Sequence, residues 1–206
     1  MQTNLYIDGN WVPSQSAQRF DVMNPATEDV IASVASADIF DADLALNAAS
    51  IAMQEWAARS PRDRSEVLRK AWELMTARLP EFARLITLEN GKANADAMGE
   101  ANYAAEFFRW FAEEAVRVDG LISHAPASGA RIIVQHKPAG IAVLVTPWNY
   151  PAAMGTRKIA PALAAGCAVI IKPASETPLT MLALMPLLEE AGVPKGVVNV
   201  LPSRNT

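Results

Sequence analysis

The sequence predicts an α/β fold: a group of helices followed by half of a doubly wound parallel sheet, with a β-arm between the two. Three short apolar runs support this prediction, at residues 141–145, 168–171 and 197–201, and stretches of helical period separate them. The first two runs are rich in β-branched residues and do not alternate, as expected for strands buried on both faces. Such strand–helix alternation indicates parallel strands joined by right-handed crossovers.

This pattern divides the chain into three parts. Residues 1–120 are predicted to form the helical part of a cofactor domain, residues 121–140 a β-arm, and residues 141–206 the first β–α–β–α–β half of a dinucleotide-binding sheet. Three parallel strands alone would leave an apolar sheet edge bare. We therefore expect the coding sequence to continue beyond Thr206 into a catalytic domain.

The first part is predicted to begin with a small hairpin, because residues 8–10 (DGN) are a turn signal between two apolar runs. A helix is predicted to begin near Asp38, and residues 60–63 (SPRD) have the pattern of a capped N-terminus that opens a second helix. The apolar face predicted for the first helix consists of Leu44, Ala48, Ile51, Ala52 and Trp56.

A third helix is predicted from Pro80 to a stop at Gly91, and a fourth from about residue 95 to residue 119. The fourth helix carries five aromatic side chains at helical spacing, which we interpret as packing between helices rather than as a binding surface. They are Tyr103, Phe107, Phe108, Trp110 and Phe111.

The β-arm mixes β-branched and charged residues over 131–137, after a turn signal at 128–129. An exposed strand edge of this kind can pair with another subunit, so we expect a homo-oligomer assembled through the arm. A surface hairpin without a partner is the alternative. His124 and His136 fall in this segment without acidic neighbours, and we interpret them as surface residues rather than metal ligands.

Composition limits the class of protein. A hydrophobic content of 51% and a charged content of 19% indicate a globular chain with a substantial core. A net charge of −4 without a basic cluster argues against nucleic acid as a partner. No apolar run reaches the roughly 20 residues that cross a bilayer, and the N-terminus does not resemble a signal peptide. The single cysteine, Cys167, cannot form an internal disulfide, which favours the cytoplasm.

Two polar clusters follow the first two predicted strands of the sheet. Residues 147–151 (PWNYP) come after the first strand and residues 172–178 (KPASETP) after the second. Ligands bind parallel sheets outside the carboxyl ends of the strands. Both clusters are therefore predicted to lie on one ligand-binding rim.

The rim suits a nicotinamide cofactor in an unusual geometry. No G-x-G-x-x-G follows the first strand, so a dinucleotide would have to approach the glycine-poor turn 146–149 (TPWN) differently. At the end of the second strand, Lys172 and Ser175 stand where an acid normally binds the adenosine ribose. An ammonium and a hydroxyl tolerate a 2′-phosphate, which favours NADP over NAD. The alternative is that Lys172 is only a solvated lysine after a strand.

Asn149 is an amide donor on a stiff turn flanked by prolines. A fixed donor of this kind suits an oxyanion hole, where negative charge develops on a carbonyl oxygen. The alternative is an asparagine that caps the following helix. The local sequence does not distinguish the oxyanion-hole role of Asn149 from the helix-capping role.

The ordered motifs of the chain resemble the aldehyde dehydrogenase superfamily. Besides the two clusters, the resemblance covers ALAAGC at 162–167, GVVNV at 196–200, and the N-terminal segments YIDGNW at 6–11, NPAT at 24–27 and LENGK at 88–92. Among the branches, the KPAS form and FRWFAEE at 108–114 are similar to succinate-semialdehyde dehydrogenases. The resemblance implies the N-terminal portion of that fold.

The resemblance also implies roles for individual residues. Asn149 would be the oxyanion-hole side chain. Arg157 would bind the distal carboxylate of the substrate, a bidentate match that lysine cannot copy, or would be a surface or domain-interface arginine. The residues expected to bind the cofactor, NADP or NAD, are Thr146, Pro147, Trp148, Asn149, Lys172, Pro173, Ala174 and Ser175.

Family chemistry requires a thiolate nucleophile and a glutamate base, both expected beyond this chain. Cys167 lies in a turn of small residues and is expected to be a packed, unreactive thiol. We therefore expect the N-terminal portion of an NAD(P)-dependent enzyme that oxidises succinate semialdehyde or a similar small aldehyde, inactive in isolation. The alternatives are another branch with a different aldehyde, and a non-catalytic fragment that binds cofactor or serves assembly.

Overall fold

The computed structural model describes residues 1–204, in which nine strands and six helices follow one another. The N-terminal elements are β1 (Leu5–Ile7), β2 (Asn10–Val12), β3 (Arg19–Met23), β4 (Val30–Ala35), α1 (Ile39–Ala58), α2 (Pro61–Ala77), α3 (Leu79–Asn90) and α4 (Asn94–Ala115). The hairpin β5 (Leu121–His124) and β6 (Arg131–Val134) leads to β7 (Ile141–Val145), α5 (Ala153–Ala164), β8 (Ala168–Lys172), α6 (Leu179–Ala191) and β9 (Val198–Val200).

The central sheet has the strand order β2-β1-β9-β8-β7. Strands β7, β8 and β9 are parallel, so the predicted α/β class with half of a doubly wound sheet is confirmed. The predicted hairpin of β1 and β2 also forms, and it extends this sheet antiparallel to β9 through the pair Tyr6 and Val200. That long-range docking has no signal in the local sequence.

The prediction that β7 is buried on both faces is wrong. Val143 and Val145 are exposed, whereas Ala168–Ile171 of β8 are buried throughout. The difference follows from strand order, because β7 lies at the edge of the sheet and has only β8 as a neighbour in the described chain. Apolar composition alone does not separate an edge strand from a central one.

The first two helices begin where the sequence predicts. Asp38 caps α1 and Ser60 caps α2, each with an acid at the third position completing a capping box. The predicted apolar face of α1 is partly wrong, since Leu44 is exposed and Ile51 is 74% exposed. The buried positions are Asp41, Ala45, Ala49 and Trp56. Ala45 and Ala49 lie in one apolar cluster with residues of β8, where small side chains allow the helix to approach the sheet closely.

Helix α3 ends at Gly91, which adopts the left-handed conformation as expected. Helix α4 is shorter than predicted, and its aromatic residues do not all pack. Phe108 is fully buried, but Trp110 is 62% exposed and Tyr103 is also exposed. Helices α2, α3 and α5 contact α4 and leave part of its surface free. The packing interpretation is therefore wrong for Tyr103 and Trp110.

The β-arm is an antiparallel hairpin in which Leu121 pairs with Val134 and His124 with Arg131. It pairs with no other strand of residues 1–204, and Ile122 and Ile133 are exposed on it. His124 and His136 are exposed, as expected of surface residues. Within the described residues, no helix combines the length and the apolar character that crossing a bilayer requires.

Candidate active site

The two polar clusters lie side by side at the carboxyl ends of β7 and β8. The backbone N–H of Thr146 donates to the carbonyl of Lys172 at 3.2 Å, which continues the ladder between the strands. Beyond it, Oγ1 of Thr177 lies 3.5 Å from the carbonyl oxygen of Trp148, at the long limit of a hydrogen bond. The predicted rim is thus a single edge on which the first turn touches the second.

Asn149 presents a free side chain on this rim. The residue is exposed, and its amide makes no hydrogen bond to any residue in the range 1–204. Helix α5 begins at Ala153, and its N-cap residue is Ala152 and not Asn149. Helix capping, the alternative role of Asn149, is therefore wrong, and its amide N–H groups are available to a ligand.

The backbone of the turn is held by residues at the C-terminal end of α3 and just beyond it. Nδ2 of Asn90 donates to the carbonyl oxygen of Trp148 at 2.9 Å, and Nζ of Lys92 donates to that of Asn149 at 3.1 Å. The Lys92 ammonium also lies 3.9 Å from the centroid of the Tyr150 ring, in a cation–π contact. The turn therefore has a fixed main chain and a free side chain at Asn149.

Glu100 of α4 completes this support. Its carboxylate forms an ion pair with Lys92, and Oε1 accepts hydrogen bonds from the backbone N–H groups of Ala152 at 2.9 Å and Ala153 at 3.3 Å. The side chain of Glu100 is 1% exposed. A buried carboxylate at the first N–H groups of α5 is stabilised by the positive end of the helix.

Glu89 supports the second turn in the same way. Its carboxylate accepts hydrogen bonds from the backbone N–H of Leu179 at 2.7 Å, from that of Thr180 at 2.9 Å, and from the Thr180 hydroxyl. These groups open α6, directly after the KPASETP turn. Burial raises the pKa of Glu89 to about 7, although the hydrogen bonds from Thr180 and Leu179 oppose the shift.

Of the ribose-side residues, Lys172 ends β8, and Ser175 lines a cavity of about 330 Å³ together with Asp21, Glu89, Glu176 and Arg204. Lys172 is half-buried, and its ammonium forms no ion pair with the described residues. Ser175 lines the cavity and donates from Oγ to Oε2 of Glu176 at 3.2 Å. Pro173 is buried and Ala174 half-buried between them. A lysine attracts a 2′-phosphate, and the neighbouring carboxylate of Glu176 opposes that attraction.

Arg157 lies in the second turn of α5 and is exposed. Its guanidinium lies 5.7 Å from the centroid of the Phe107 ring and has no carboxylate partner within residues 1–204. The structure does not bring it into contact with Asn149 or with the cofactor turn. The adjacent Lys158 points toward the rim, where Nζ donates to the carbonyl oxygen of Val145 at 2.6 Å.

Cys167 is only 7% exposed, in the turn between α5 and β8, as expected of a packed thiol. In the range 1–204, no group of three or more histidine, cysteine or acidic residues is placed to hold a metal ion.

Four residues that hold the site were missed from sequence: Glu89, Asn90, Lys92 and Glu100. A signal existed for the two acids. Glu100 lies on the same helical face as the buried Ala97, Ala101 and Ala104, and Glu89 follows Leu85 and Ile86 on that of α3. A charge within an apolar stripe is costly unless it is paired. That pattern predicts that each acid has a buried partner, but it does not identify the partner residue.

The free amide donor and the unpaired lysine lie outside the carboxyl ends of parallel strands, where open α/β sheets bind their ligands. The sequence profile of the Aldehyde dehydrogenase family matches residues 11–206. The chain belongs to the aldehyde dehydrogenase family, as its motifs indicated.

Three similar proteins illustrate the relationship. A succinate-semialdehyde dehydrogenase of Paenarthrobacter nicotinovorans is 52% identical over 174 residues, which make up 84% of this chain and 39% of that protein. A 3-sulfolactaldehyde dehydrogenase of Pseudomonas putida is 43% identical over 206 residues, 100% of this chain and 42% of that protein. The crystal structure of an E. coli NADP dependent enzyme matches with a TM-score of 0.97 at 42% identity, over 99% of this chain and 42% of that one.

The chain spans about two fifths of the length of these relatives. The two dehydrogenases are named for different aldehydes, so the likeness identifies the family and not one substrate.

The raised pKa of Glu89 predicts a pH dependence of stability. The folded protein keeps a proton on Glu89 up to a pKa of about 7, whereas the unfolded chain loses it near 4.5. Stability from this proton is complete below pH 4.5 and decreases as the pH rises to 7, by about 3 kcal/mol in total. Glu89→Gln should remove this decrease, measured by urea unfolding from pH 4.5 to 7.5. Glu81→Gln, an exposed acid of the same helix, is the control and should keep it.

Proposed function

We propose that this chain forms the cofactor-binding side of the active site of an NAD(P)-dependent aldehyde dehydrogenase. The observation that carries the proposal is Asn149, whose amide is free while the backbone on both sides of it is held. Membership of the family supplies the reaction class. The conversion is oxidation of an aldehyde to the carboxylic acid.

In this reaction the role of Asn149 is electrostatic. Attack on the aldehyde carbonyl places negative charge on its oxygen, and the Nδ2–H of Asn149 donates to that oxyanion. NAD(P)⁺, when bound, accepts the hydride. We propose that the nucleophile and the base are groups outside these residues, because Cys167, the one cysteine of the chain, is buried in the turn between α5 and β8.

The proposed cofactor residues are Thr146, Pro147, Trp148 and Asn149 on the nicotinamide side, and Lys172, Pro173, Ala174 and Ser175 on the ribose side. The unpaired ammonium of Lys172 suits a negatively charged ribose phosphate. The similar E. coli protein is named as NADP dependent. These observations favour NADP, with NAD as the alternative that Glu176 would support.

The proposed substrate is succinate semialdehyde or a similar small aldehyde with a distal acidic group. Arg157 is exposed, has no carboxylate partner within the described chain, and can present a bidentate fork to such a group. A different aldehyde is the alternative, since the P. putida relative is named for 3-sulfolactaldehyde.

We also propose a homo-oligomer formed through the β-arm, on the ground that its apolar residues Ile122 and Ile133 are exposed. A cytoplasmic location is proposed because the one cysteine is a buried free thiol. A second candidate for these 206 residues in isolation is a non-catalytic piece that binds cofactor or serves assembly, favoured by the absence of a reactive thiol among the described residues.

Activity of the complete gene product tests the central proposal. We expect aldehyde-dependent reduction of NADP⁺ or NAD⁺, followed as absorbance of the reduced cofactor. Asn149→Ala should lower kcat by about 10²- to 10³-fold, because the oxyanion loses its donor. Absence of any aldehyde-dependent reduction would contradict the proposed function, and an unchanged kcat in Asn149→Ala would contradict the assignment of Asn149.

Cofactor choice is tested at Ser175. Ser175→Glu should lower kcat/KM for NADP⁺ relative to NAD⁺ by about 10-fold or more, because a carboxylate repels the 2′-phosphate. Ser175→Gln has nearly the same size without the charge and should shift the ratio much less. If Ser175→Glu leaves the ratio unchanged, Ser175 does not lie beside the ribose.

Substrate choice is tested at Arg157. Arg157→Ala should lower kcat/KM for succinate semialdehyde by about 10- to 100-fold and leave a neutral aldehyde of similar length nearly unchanged. Arg157→Lys should recover part of the loss, because lysine keeps the charge without the bidentate geometry. Equal losses on both aldehydes would exclude Arg157 as the carboxylate partner.

A further inference from the structure

The ion pair between Lys92 and Glu100 lies directly behind the turn that carries Asn149. We propose that this pair is a positioning device for the oxyanion donor: it fixes the main chain at Asn149 and thereby the direction of the Asn149 amide. The inference rests on the proposed dehydrogenase function and names residues that act on the reaction through another residue.

The ion pair is buried. The side chains of Glu100 and Lys92 are 1% and 15% exposed. A carboxylate so deeply buried is tolerated only when it is paired and hydrogen-bonded, and Glu100 has Lys92 on one oxygen and two backbone N–H groups on the other. Removal of either charge alone would leave the other buried and unpaired.

Lys92 directs its ammonium into the support of the turn. Its ammonium has three N–H groups. Glu100 and the carbonyl oxygen of Asn149 each accept one, and the Tyr150 ring lies 3.9 Å away. The ammonium of Lys92 is thus engaged by Glu100 and by the turn itself, and we assign Lys92 as a positioning residue and not a catalytic one.

The support holds main-chain groups on both sides of Asn149 and makes no hydrogen bond to its side chain. The carbonyl groups of Trp148 and Asn149 accept from Asn90 and Lys92, and the N–H groups of Ala152 and Ala153 donate to Glu100. With both flanking peptide groups held, the amide of Asn149 can move only about its own side-chain torsions. Since misplacement by about 1 Å can cost about 100-fold in rate, this restriction matters for a transition-state donor.

A purely structural role would give the same contacts, and a double-mutant cycle separates the two. The test variant is Lys92→Met with Glu100→Gln, because the double substitution removes both buried charges and keeps the length of each side chain. The cycle combines this variant with Asn149→Ala in the complete gene product. The control is Arg78→Met, which removes the Arg78–Glu190 ion pair far from the turn.

We expect the double substitution to lower kcat by about 10- to 100-fold with a small change in KM for the cofactor. In the Asn149→Ala background the same substitution should cost nothing further in kcat, because the group that it positions is gone. Arg78→Met should leave kcat unchanged. Lys92→Arg, which keeps the charge, should retain more of the activity than the double substitution.

Two outcomes would overturn the inference while leaving the proposed function intact. One is a loss of kcat that is equally large with and without the Asn149 amide, which would mean a general structural role. The other is an unchanged kcat in the wild-type background. A wild-type protein without aldehyde-dependent activity would instead contradict the proposed function itself.

Discussion

Two buried carboxylates organise the candidate site. The carboxylate of Glu100 accepts hydrogen bonds from the first backbone N–H groups of α5, and that of Glu89 accepts them from the first N–H groups of α6. Each of these helices begins directly after one of the two turns that form the rim. Each acid satisfies backbone donors that have no partner inside the helix and sits at its positive end. Because Glu89 is only three residues from Lys92, one short segment at the C-terminal end of α3 contacts both turns.

This anchoring explains how a glycine-poor turn can serve a ligand-binding rim. The segment 146–151 is stiff because of its prolines, and its carbonyl groups are held by Asn90 and Lys92. The side chain of Asn149 is the part left free. A fixed backbone with a free polar side chain is the arrangement that electrostatic preorganisation requires, since little reorganisation is needed when charge develops. The α/β fold alone would not identify Asn149 as an oxyanion donor, because one fold can support many unrelated functions.

Sequence patterns predicted where the helices and strands form better than they predicted which side of each one is buried. Helix starts at Asp38 and Ser60 and the stop at Gly91 were correct because capping is a local interaction of a few residues. The predicted apolar face of α1 was wrong at Leu44. The buried residue is the adjacent Ala45, which lies in one apolar cluster with residues of β8. The exposure of Val143, Val145 and Trp110 depended on strand order and on which helices cover α4, and no local pattern carries that information.

The sequence by itself determined the α/β class, the family and the two turns that form the rim, because strand–helix alternation and ordered motifs can be read from the order of residues along the chain. Only the tertiary structure decided what holds those turns. Lys92 and Asn149 are 57 residues apart, and Glu89 and Leu179 are 90 apart. A sequence can reveal that a charge falls within an apolar stripe and must be paired. The partner is chosen by the packing of α3 and α4 against α5 and α6, which becomes visible only when the chain has folded.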